Sequence, residues 1–160
     1  MSVFNKGTAK CRSFVSAGSL AALLGCALQP VSASCVLRDL GPLSMCVPSD
    51  WQLSQGRIDS VAGTFKADGL SVSYDIGLYS DPLKIPPEAT EASEAAVTID
   101  GHAGRKVAFT LQAAHFVGVH LPGIRSTSMG SIKLTVLAQA TNAARLQEAA
   151  AALLTVRIKS

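Results

Sequence analysis

Apolar and polar residues alternate most clearly between residues 59 and 80, which read DSVAGTFKADGLSVSYDIGLYS. Beyond Asp68-Gly69 the positions of one parity are apolar, namely Leu70, Val72, Tyr74, Ile76 and Leu78. A period of two is typical of a strand with one buried face. Asp-Gly suits a two-residue turn, because glycine adopts positive φ freely and aspartate tolerates it. The stretch therefore predicts a β-hairpin.

The turn also fixes a register for this hairpin. With two turn residues, the large apolar side chains share one face, and Gly63 leaves room for the ring of Tyr74. A three-residue loop would place Phe65 opposite Ser71 and mix the faces, since a slip of one residue inverts a strand. The predicted pairs are Ala67 with Leu70, Phe65 with Val72, Gly63 with Tyr74 and Val61 with Ile76.

Other alternating segments predict further strands, at residues 43–47, 115–121 and 131–140. Residues 97–111 favour a second hairpin around Asp100-Gly101. The parity of this hairpin does not close with a two-residue turn, so either Gly104 marks a bulge or His102 belongs to a three-residue loop. The single tryptophan, Trp51, is expected to be a core anchor because burial of an indole ring is strongly stabilising.

Two segments are expected to lie outside the sheet. Residues 81–95 contain three prolines, which exclude a central strand, and three glutamates at a spacing of three. This segment is interpreted as an exposed acidic loop, with a short helical turn as the alternative. Residues 122–131, PGIRSTSMGS, are rich in glycine and serine and are predicted to form a mobile loop.

The apolar period changes after residue 140. Thr141 or Asn142 can serve as a helix N-cap. One helical face would then carry Leu146, Ala149, Ala150, Leu153 and Leu154. Antiparallel strands followed by an amphipathic helix predict an α+β fold, in which a meander-like antiparallel sheet carries the C-terminal helix on one face. Residues 34–160 are expected to form this single α+β domain.

Residues 1–33 are typical of an export signal peptide. A basic start precedes an apolar run at residues 14–28, which is short for a membrane span. Val31-Ser32-Ala33 supplies small residues at the two positions that a signal peptidase reads, which favours cleavage after Ala33 and release to the periplasm or the extracellular space. The alternative is the sequence LLGC, which resembles a bacterial lipobox and would make the chain an outer-membrane or surface lipoprotein anchored through Cys26.

Charge and cysteine content agree with export. The chain has 14 Lys and Arg and 11 Asp and Glu, and three of the basic residues lie in the leader, which leaves 11 of each sign. A near-neutral domain lacks the basic surface of a nucleic-acid binder. Beyond the leader only Cys35 and Cys46 remain, and we expect a disulfide between them, worth about 3 kcal/mol in the chain-entropy model. Two buried thiols are the alternative.

The central hairpin also carries a resemblance. Asp59-Ser60 and Gly63, followed by Tyr74-Asp75-Ile76-Gly77 and Tyr79-Ser80, resemble a group of uncharacterised exported bacterial proteins in which a DS-x-x-G strand precedes a YDxGxYS strand. The likeness covers about residues 46–80 and is weaker in the Asp100-Gly101 hairpin and the C-terminal helix. The resemblance implies export, but it implies no particular chemistry.

Three residues are candidate binding residues: Asp59, Asp75 and Tyr79. Asp75 and Tyr79 share the less apolar face of their strand, and Asp59 is expected opposite Leu78, at the same edge as Tyr79. A carboxylate pair can perform acid–base chemistry or hold a cation. The alternative is structural, with Asp59 capping a turn and Asp75 accepting hydrogen bonds from a neighbouring loop.

Sequence motifs give enzyme status no positive support. We find no P-loop, dinucleotide fingerprint, CxxC pair or nucleophile elbow. His115 and His120 have opposite parity on one strand, so a metal site shared with His102 is not expected. No catalytic residue, metal or cofactor is predicted, and a nucleic-acid partner is not expected.

The first hypothesis is an exported non-enzymatic binding or accessory module for an unknown protein or small ligand. One alternative is a metal-dependent or acid–base hydrolase that uses Asp59 and Asp75. The other is a lipid-anchored envelope component, in which Cys26 would supply the only membrane contact.

Overall fold

The computed structural model describes residues 35–57 and 60–159. In this part of the chain there are ten strands and one helix. The strands are β1 (Cys35–Asp39), β2 (Leu43–Pro48), β3 (Gln52–Arg57), β4 (Val61–Ala67), β5 (Leu70–Gly77), β6 (Thr90–Ile99), β7 (His102–Leu111), β8 (Ala114–Thr127), β9 (Gly130–Ala140) and β10 (Arg157–Ile158), and the helix is α1 (Ala143–Leu153). The mixture of antiparallel sheet and one C-terminal helix agrees with the predicted α+β class.

The strands form two antiparallel sheets. The larger has seven strands in the order β3-β4-β5-β9-β8-β7-β6, and the smaller has three in the order β1-β2-β10. Strands β3 to β5 form one meander and β6 to β9 another, and the pairing of β5 with β9 joins them. A meander therefore describes each half of the large sheet but not the whole sheet. The connection from β5 to β6 must cross β9, β8 and β7 to reach the edge of the sheet that β6 forms.

The β4–β5 hairpin has the predicted register. Phe65 pairs with Val72 and Gly63 with Tyr74, around a two-residue turn at Asp68-Gly69. A Cβ atom at Gly63 would lie 2.7 Å from the Tyr74 hydroxyl oxygen, so the glycine does make room for the ring. The predicted register is confirmed, and it directs the large apolar side chains of both strands to one face.

That face forms the main core. Trp51 is 1% exposed and packs against Phe65 with ring centroids 5.9 Å apart. The indole Nε1 also donates a hydrogen bond to Glu148 of α1 at 3.3 Å. Trp51 is therefore the core anchor that the sequence predicts. Side chains of β2, β5, β8, β9 and α1 belong to the same buried cluster.

Helix α1 begins as predicted but has a slightly rotated buried face. Asn142 is the N-cap, and its side-chain oxygen accepts from the Arg145 amide at 2.9 Å. Ala149 and Ala152 are buried, whereas Leu154 is 52% exposed. The expectation that Leu154 faces the core is wrong, because at about 100° per residue it lies about 140° around the helix from Ala149.

The small sheet carries the predicted disulfide. Cys35 in β1 is bonded to Cys46 in β2, with 5.4 Å between their Cα atoms. The Thr155 hydroxyl oxygen accepts from the Cys46 amide at 2.9 Å and so ties the end of the helix to this sheet. Strands β1 and β3 were not predicted, because neither shows a sustained alternation of apolar and polar residues.

The mobile loop predicted at residues 122–131 is wrong. These residues form the end of β8, a two-residue turn at Ser128-Met129 and the start of β9. Their polar character has a different cause, since this end of the hairpin is largely exposed on both faces. Pro122 is accommodated at an irregularity in the pairing between Leu121 and Arg125, where the proline need not donate to the ladder.

The acidic segment and the second hairpin also need correction. Residues from Thr90 onward form the exposed edge strand β6, so the glutamates there belong to neither a loop nor a helical turn. Ile99 pairs with His102 around a two-residue Asp100-Gly101 turn, which excludes both a three-residue loop and a bulge at Gly104. The predicted parity of this hairpin was wrong because the apolar side chains of β6 and β7 lie on opposite faces. Ile99 of β6 faces the main core, whereas Val107 and Phe109 of β7 face away from it.

Those side chains form a second, smaller core on the opposite face of the large sheet. Val107, Phe109 and Leu83 are its buried members. Leu83 belongs to residues 80–89, which we call the crossing segment because they pass over β9, β8 and β7 between β5 and β6. Three prolines keep this segment from joining the sheet, since proline has no backbone N–H to donate.

Candidate functional site

A cavity of about 830 Å³ lies where β4 begins and β5 ends. We call it the end cavity. Its lining residues are Pro42, Ser60, Val61, Asp75, Ile76, Gly77, Leu78, Tyr79, Ser80, Ile124, Arg125, Ile132 and Ile158. The volume falls in the range of about 300 to 1,000 Å³ that is usual for small-ligand sites.

The walls of the end cavity are mainly aliphatic. Val61 and Ile76 form a cross-strand pair in the β4–β5 hairpin, and Ile132 lies on β9. Ile124 of β8 and Ile158 of β10 add further β-branched side chains. Such walls favour an apolar ligand, because burial of apolar surface is stabilising by about 25 cal/mol per Å².

An irregularity in β8 places two of these residues. Leu121 pairs with Leu134, but the next pair in the ladder is Arg125 with Ile132, so β8 has two more residues here than β9. The extra length brings both Ile124 and Arg125 to the cavity. Bulges of this kind often occur next to binding sites because they redirect side chains.

Asp75 contributes a carboxylate to the lining of the cavity. Its Oδ1 atom is closed off from solvent and has no hydrogen-bond partner within residues 35–57 and 60–159. No lysine or arginine in that part of the chain forms an ion pair with it. An enclosed polar atom without a partner costs about 1–3 kcal/mol, so the burial of Oδ1 is a local cost to stability at the wall of the cavity.

The opposite charge at the cavity comes from Arg125. One of its terminal nitrogens donates to the Lys159 carbonyl at 2.6 Å, which ties β8 to the C-terminal segment. Within the described residues no carboxylate pairs with it. A guanidinium has five N–H donors, so Arg125 keeps donor capacity for a ligand.

Tyr79 lies at the rim of the cavity and is 89% exposed. It follows Gly77-Leu78 in the turn that leaves β5. A large aromatic side chain this exposed makes little contribution to the core. It can instead cover part of a bound molecule, since tyrosine combines an apolar ring with a polar hydroxyl.

Ser80 connects the cavity with the second face of the sheet. It is buried, and its hydroxyl lies 2.8 Å from Thr135 Oγ1 and 3.1 Å from the Asp75 carbonyl oxygen. Thr135 in turn donates to the Asp81 carbonyl at 2.7 Å. The first residues of the crossing segment are thus fixed to β5 and β9 at the wall of the cavity.

His120 completes this network and is 7% exposed. Its Nδ1 lies 2.9 Å from Thr135 Oγ1. Because the Thr135 proton is donated to Asp81, Nδ1 must be the donor, which assigns the proton of the neutral imidazole to Nδ1. Burial lowers the pKa of His120, and the charges of Arg105 and Lys133 lower it further. The neutral form is therefore favoured.

The structure brings two of the three predicted binding residues to one site. Asp75 and Tyr79 both line the end cavity, whereas Asp59 lies outside the described residues. The hydrolase hypothesis needs both carboxylates and so stays a prediction, as does lipidation of Cys26, which also lies outside them.

The three histidines are bonded in separate places. His102 Nδ1 is 3.1 Å from the Gly123 carbonyl, and His115 Nδ1 is 3.1 Å from Thr110 Oγ1. Among the described residues, no group of three or more histidine, cysteine or acidic side chains could hold a metal ion. The same residues include no helix of the length and apolarity that crossing a membrane requires.

Sequence reasoning missed Ile124, Arg125 and the Ser80–Thr135–His120 network. The signal for the first two was Pro122-Gly123, which interrupts the alternation of β8 and was interpreted as the start of a loop. No local signal identifies the network, since its members are brought together only by the pairing of β5 with β9.

Comparisons of the sequence and the structure with protein-family models, curated proteins and solved structures found no match. The resemblance of the central hairpin to exported bacterial proteins therefore stays a prediction.

Proposed function

We propose that this domain is an exported, non-enzymatic binding module that holds a small amphiphilic ligand in the end cavity. The observation that carries the proposal is a cavity whose lining combines aliphatic side chains with two charged residues, Asp75 and Arg125. Apolar pockets with a few polar groups that fix orientation are typical of small-ligand sites.

Two further observations support the proposal. Tyr79 is almost fully exposed at the rim, where a ligand would cover it. The Cys35–Cys46 disulfide fits export, because disulfides persist in oxidising compartments. Released and lipid-anchored forms would both present the same cavity, so binding in the cavity does not depend on which of the two is made.

The proposal can be tested with N-phenyl-1-naphthylamine, a neutral apolar probe whose fluorescence rises on leaving water. We expect saturable binding of one probe per chain. Ile132→Trp and, separately, Ile158→Trp should fill the cavity and weaken binding at least tenfold. Leu154→Trp adds the same side chain on an exposed part of the helix end and should bind like the wild type.

Thermal unfolding of each variant would first show that it is folded. The proposal fails if the wild-type protein does not bind the probe, or if both folded cavity variants bind it as tightly as Leu154→Trp does.

A further inference from the structure

We infer that the end cavity binds a single-chain anionic amphiphile of the fatty-acid type, with its carboxylate at Arg125 and its alkyl chain along the aliphatic wall. This inference rests on the proposed binding function and names the class of ligand. It follows from the faces of the sheet to which the lining side chains belong, and from the pairing of the charges beside them.

The aliphatic side chains and Arg125 lie on the same face of the large sheet. Ile124 is buried in the main core, and Ile132 and Ile158 pack against that core. Arg125 pairs with Ile132 in the ladder, so these two side chains share one face. The bond from Arg125 to the carbonyl of Lys159, the residue after Ile158, carries the guanidinium across to the small sheet. Arg125 therefore borders the aliphatic wall on the side of the main core.

The Asp75 side chain belongs to the other face. Asp75 precedes Ile76, which is buried in the main core, and successive side chains of a strand point to opposite faces. The ladder partner of Asp75 is Thr135, whose hydroxyl donates to the crossing segment on the second face. Asp75 Oδ1 is also closed off from solvent. The charged side chain that shares a face with the aliphatic wall is thus Arg125.

Arg125 differs from the neighbouring cations in its partners. Lys159 pairs with Asp39 at 2.6 Å and Arg157 with Asp100 at 3.8 Å. Among the residues that the structure describes, Arg125 bonds only a neutral carbonyl. One guanidinium without a carboxylate matches a ligand with a single negative charge, through charge-assisted hydrogen bonds. A cationic amphiphile would instead bring a like charge to this site.

The change in exposure along the wall gives the ligand its direction. Arg125 is exposed, whereas the adjacent Ile124 is 6% exposed. A head group at Arg125 would stay in contact with water at the mouth, while the alkyl chain would lie inside. Each CH₂ group that enters the wall should tighten binding about fourfold, which corresponds to about 0.8 kcal/mol.

The test uses decanoate, 1-decanol and decylamine as competitors of N-phenyl-1-naphthylamine at pH 7, below the concentrations at which they form micelles. The three compounds have the same chain length and differ in the charge of the head group. Decanoate should displace the probe at about tenfold lower concentration than the other two, because only its bond to Arg125 joins opposite charges. Octanoate should bind about tenfold more weakly than decanoate, since it buries two fewer CH₂ groups.

The variants assign the head group to Arg125. Arg125→Gln should remove the preference for decanoate over decanol and leave decanol binding unchanged, while Arg125→Lys keeps a cation and should retain the preference. Lys133→Gln is the matched control, because Lys133 follows Ile132 on the opposite face of β9 and does not line the cavity. This control should behave like the wild type, and thermal unfolding would first show that each variant is folded.

The inference is wrong if the wild-type protein binds decanoate no better than decanol or decylamine while N-phenyl-1-naphthylamine still binds, and this comparison needs no variant. It is also wrong if folded Arg125→Gln keeps the same preference as Lys133→Gln. In both cases the proposed binding function stands without its ligand class. If neither the naphthylamine probe nor any of the amphiphiles binds, the binding function itself is wrong.

Discussion

The two faces of the seven-stranded sheet are covered in different ways. On the main face, α1 and the small sheet close a core that includes Trp51 and Phe65. On the second face, one chain segment without regular structure covers Val107 and Phe109 with Leu83. A cover made of one segment has few internal hydrogen bonds, so we expect it to open more easily than the main core.

The difference between the faces bears on the site. The crossing segment starts at Ser80, which lines the end cavity and is bonded to the Thr135–His120 pair. A change in the crossing segment can therefore reach the cavity wall. The main core also contributes to that wall, through Ile76 and Ile124 of the large sheet and Ile158 of the small one.

The largest effect is expected on the main face. Trp51→Ala should lower the free energy of unfolding by about 3–5 kcal/mol, because the cavity it leaves is enclosed on all sides. Leu83→Ala on the second face should cost about 2 kcal/mol, since the crossing segment can collapse onto the gap. Urea unfolding of both variants provides the comparison, and equal losses would show that the two covers are equally rigid.

The contrast between the two faces also explains which strands could be predicted correctly from the alternation of apolar and polar residues. The β4–β5 register follows from alternation, because each apolar residue there faces one core and a slip would expose all of them. In β7 the same rule fails. Val107 and Phe109 are buried on the second face, and a period-two pattern cannot tell which face of a sheet is covered.

The candidate site was predictable only in part. Asp75 and Tyr79 stand out because they lie on the polar parity of a clear strand. Arg125 does not, because its place at the cavity depends on an irregularity in β8 and on the pairing of β5 with β9. Long-range pairing of this kind has no local signature, so the opposite charge at the site stayed hidden.

A second prediction concerns the fit of the crossing segment on the sheet. A Cβ atom at Gly118 would lie 2.5 Å from Leu83 Cδ1 and 2.9 Å from the Val136 carbonyl oxygen. Gly118→Ala should therefore cost about 1–3 kcal/mol and raise hydrogen exchange in residues 80–89 more than in the main core.

Two variants serve as controls for Gly118→Ala. A Cβ atom at Gly123 would meet no atom within 4 Å, so Gly123→Ala should leave exchange in the crossing segment unchanged. Combining Gly118→Ala with Leu83→Ala should cost less than the sum of the two single losses, because one of the two close contacts is then absent. Strictly additive losses would contradict the contact.

A third prediction uses low pH to weaken the packing of the crossing segment on the second face of the sheet. His120 has a folded-state pKa below 6.5, its ordinary value, because it is buried near Arg105 and Lys133. As the pH falls below 6.5 the unfolded chain takes up this proton before the folded one does. The stability contribution of the neutral imidazole is therefore complete above pH 6.5 and is lost as the pH falls toward the lower, folded-state value.

The matched variant for this measurement is His120→Asn. The asparagine amide can still donate to Thr135 but does not titrate. The free energy of unfolding, measured with urea, should therefore fall less steeply between pH 7.5 and 5 than in the wild type. One proton can contribute at most about 1.4 kcal/mol per pH unit to that difference. Parallel curves for the two proteins would show that His120 does not control the acid sensitivity.

The smallest effect is expected from the exposed end of the second cover. Arg105 bonds both oxygens of Glu94 at 3.0 Å each and also donates to the Leu83 carbonyl. Glu94→Gln should cost less than about 1 kcal/mol, because the pair is partly exposed. Arg105→Met removes both interactions and should cost more, since the Leu83 carbonyl then loses a charged donor.

Comparing these two variants separates the effect of the Arg105–Glu94 ion pair from that of the hydrogen bond between Arg105 and the Leu83 carbonyl. Hydrogen exchange in residues 80–89 should rise in Arg105→Met but hardly change in Glu94→Gln, and Glu88→Gln, a change at an exposed residue, sets the baseline. If Glu94→Gln loosens the segment as much as Arg105→Met does, then the orientation of the arginine by Glu94 matters more than its bond to Leu83. In that case the attachment of the crossing segment to the sheet depends on a surface charge, and local opening of that segment should increase with salt concentration.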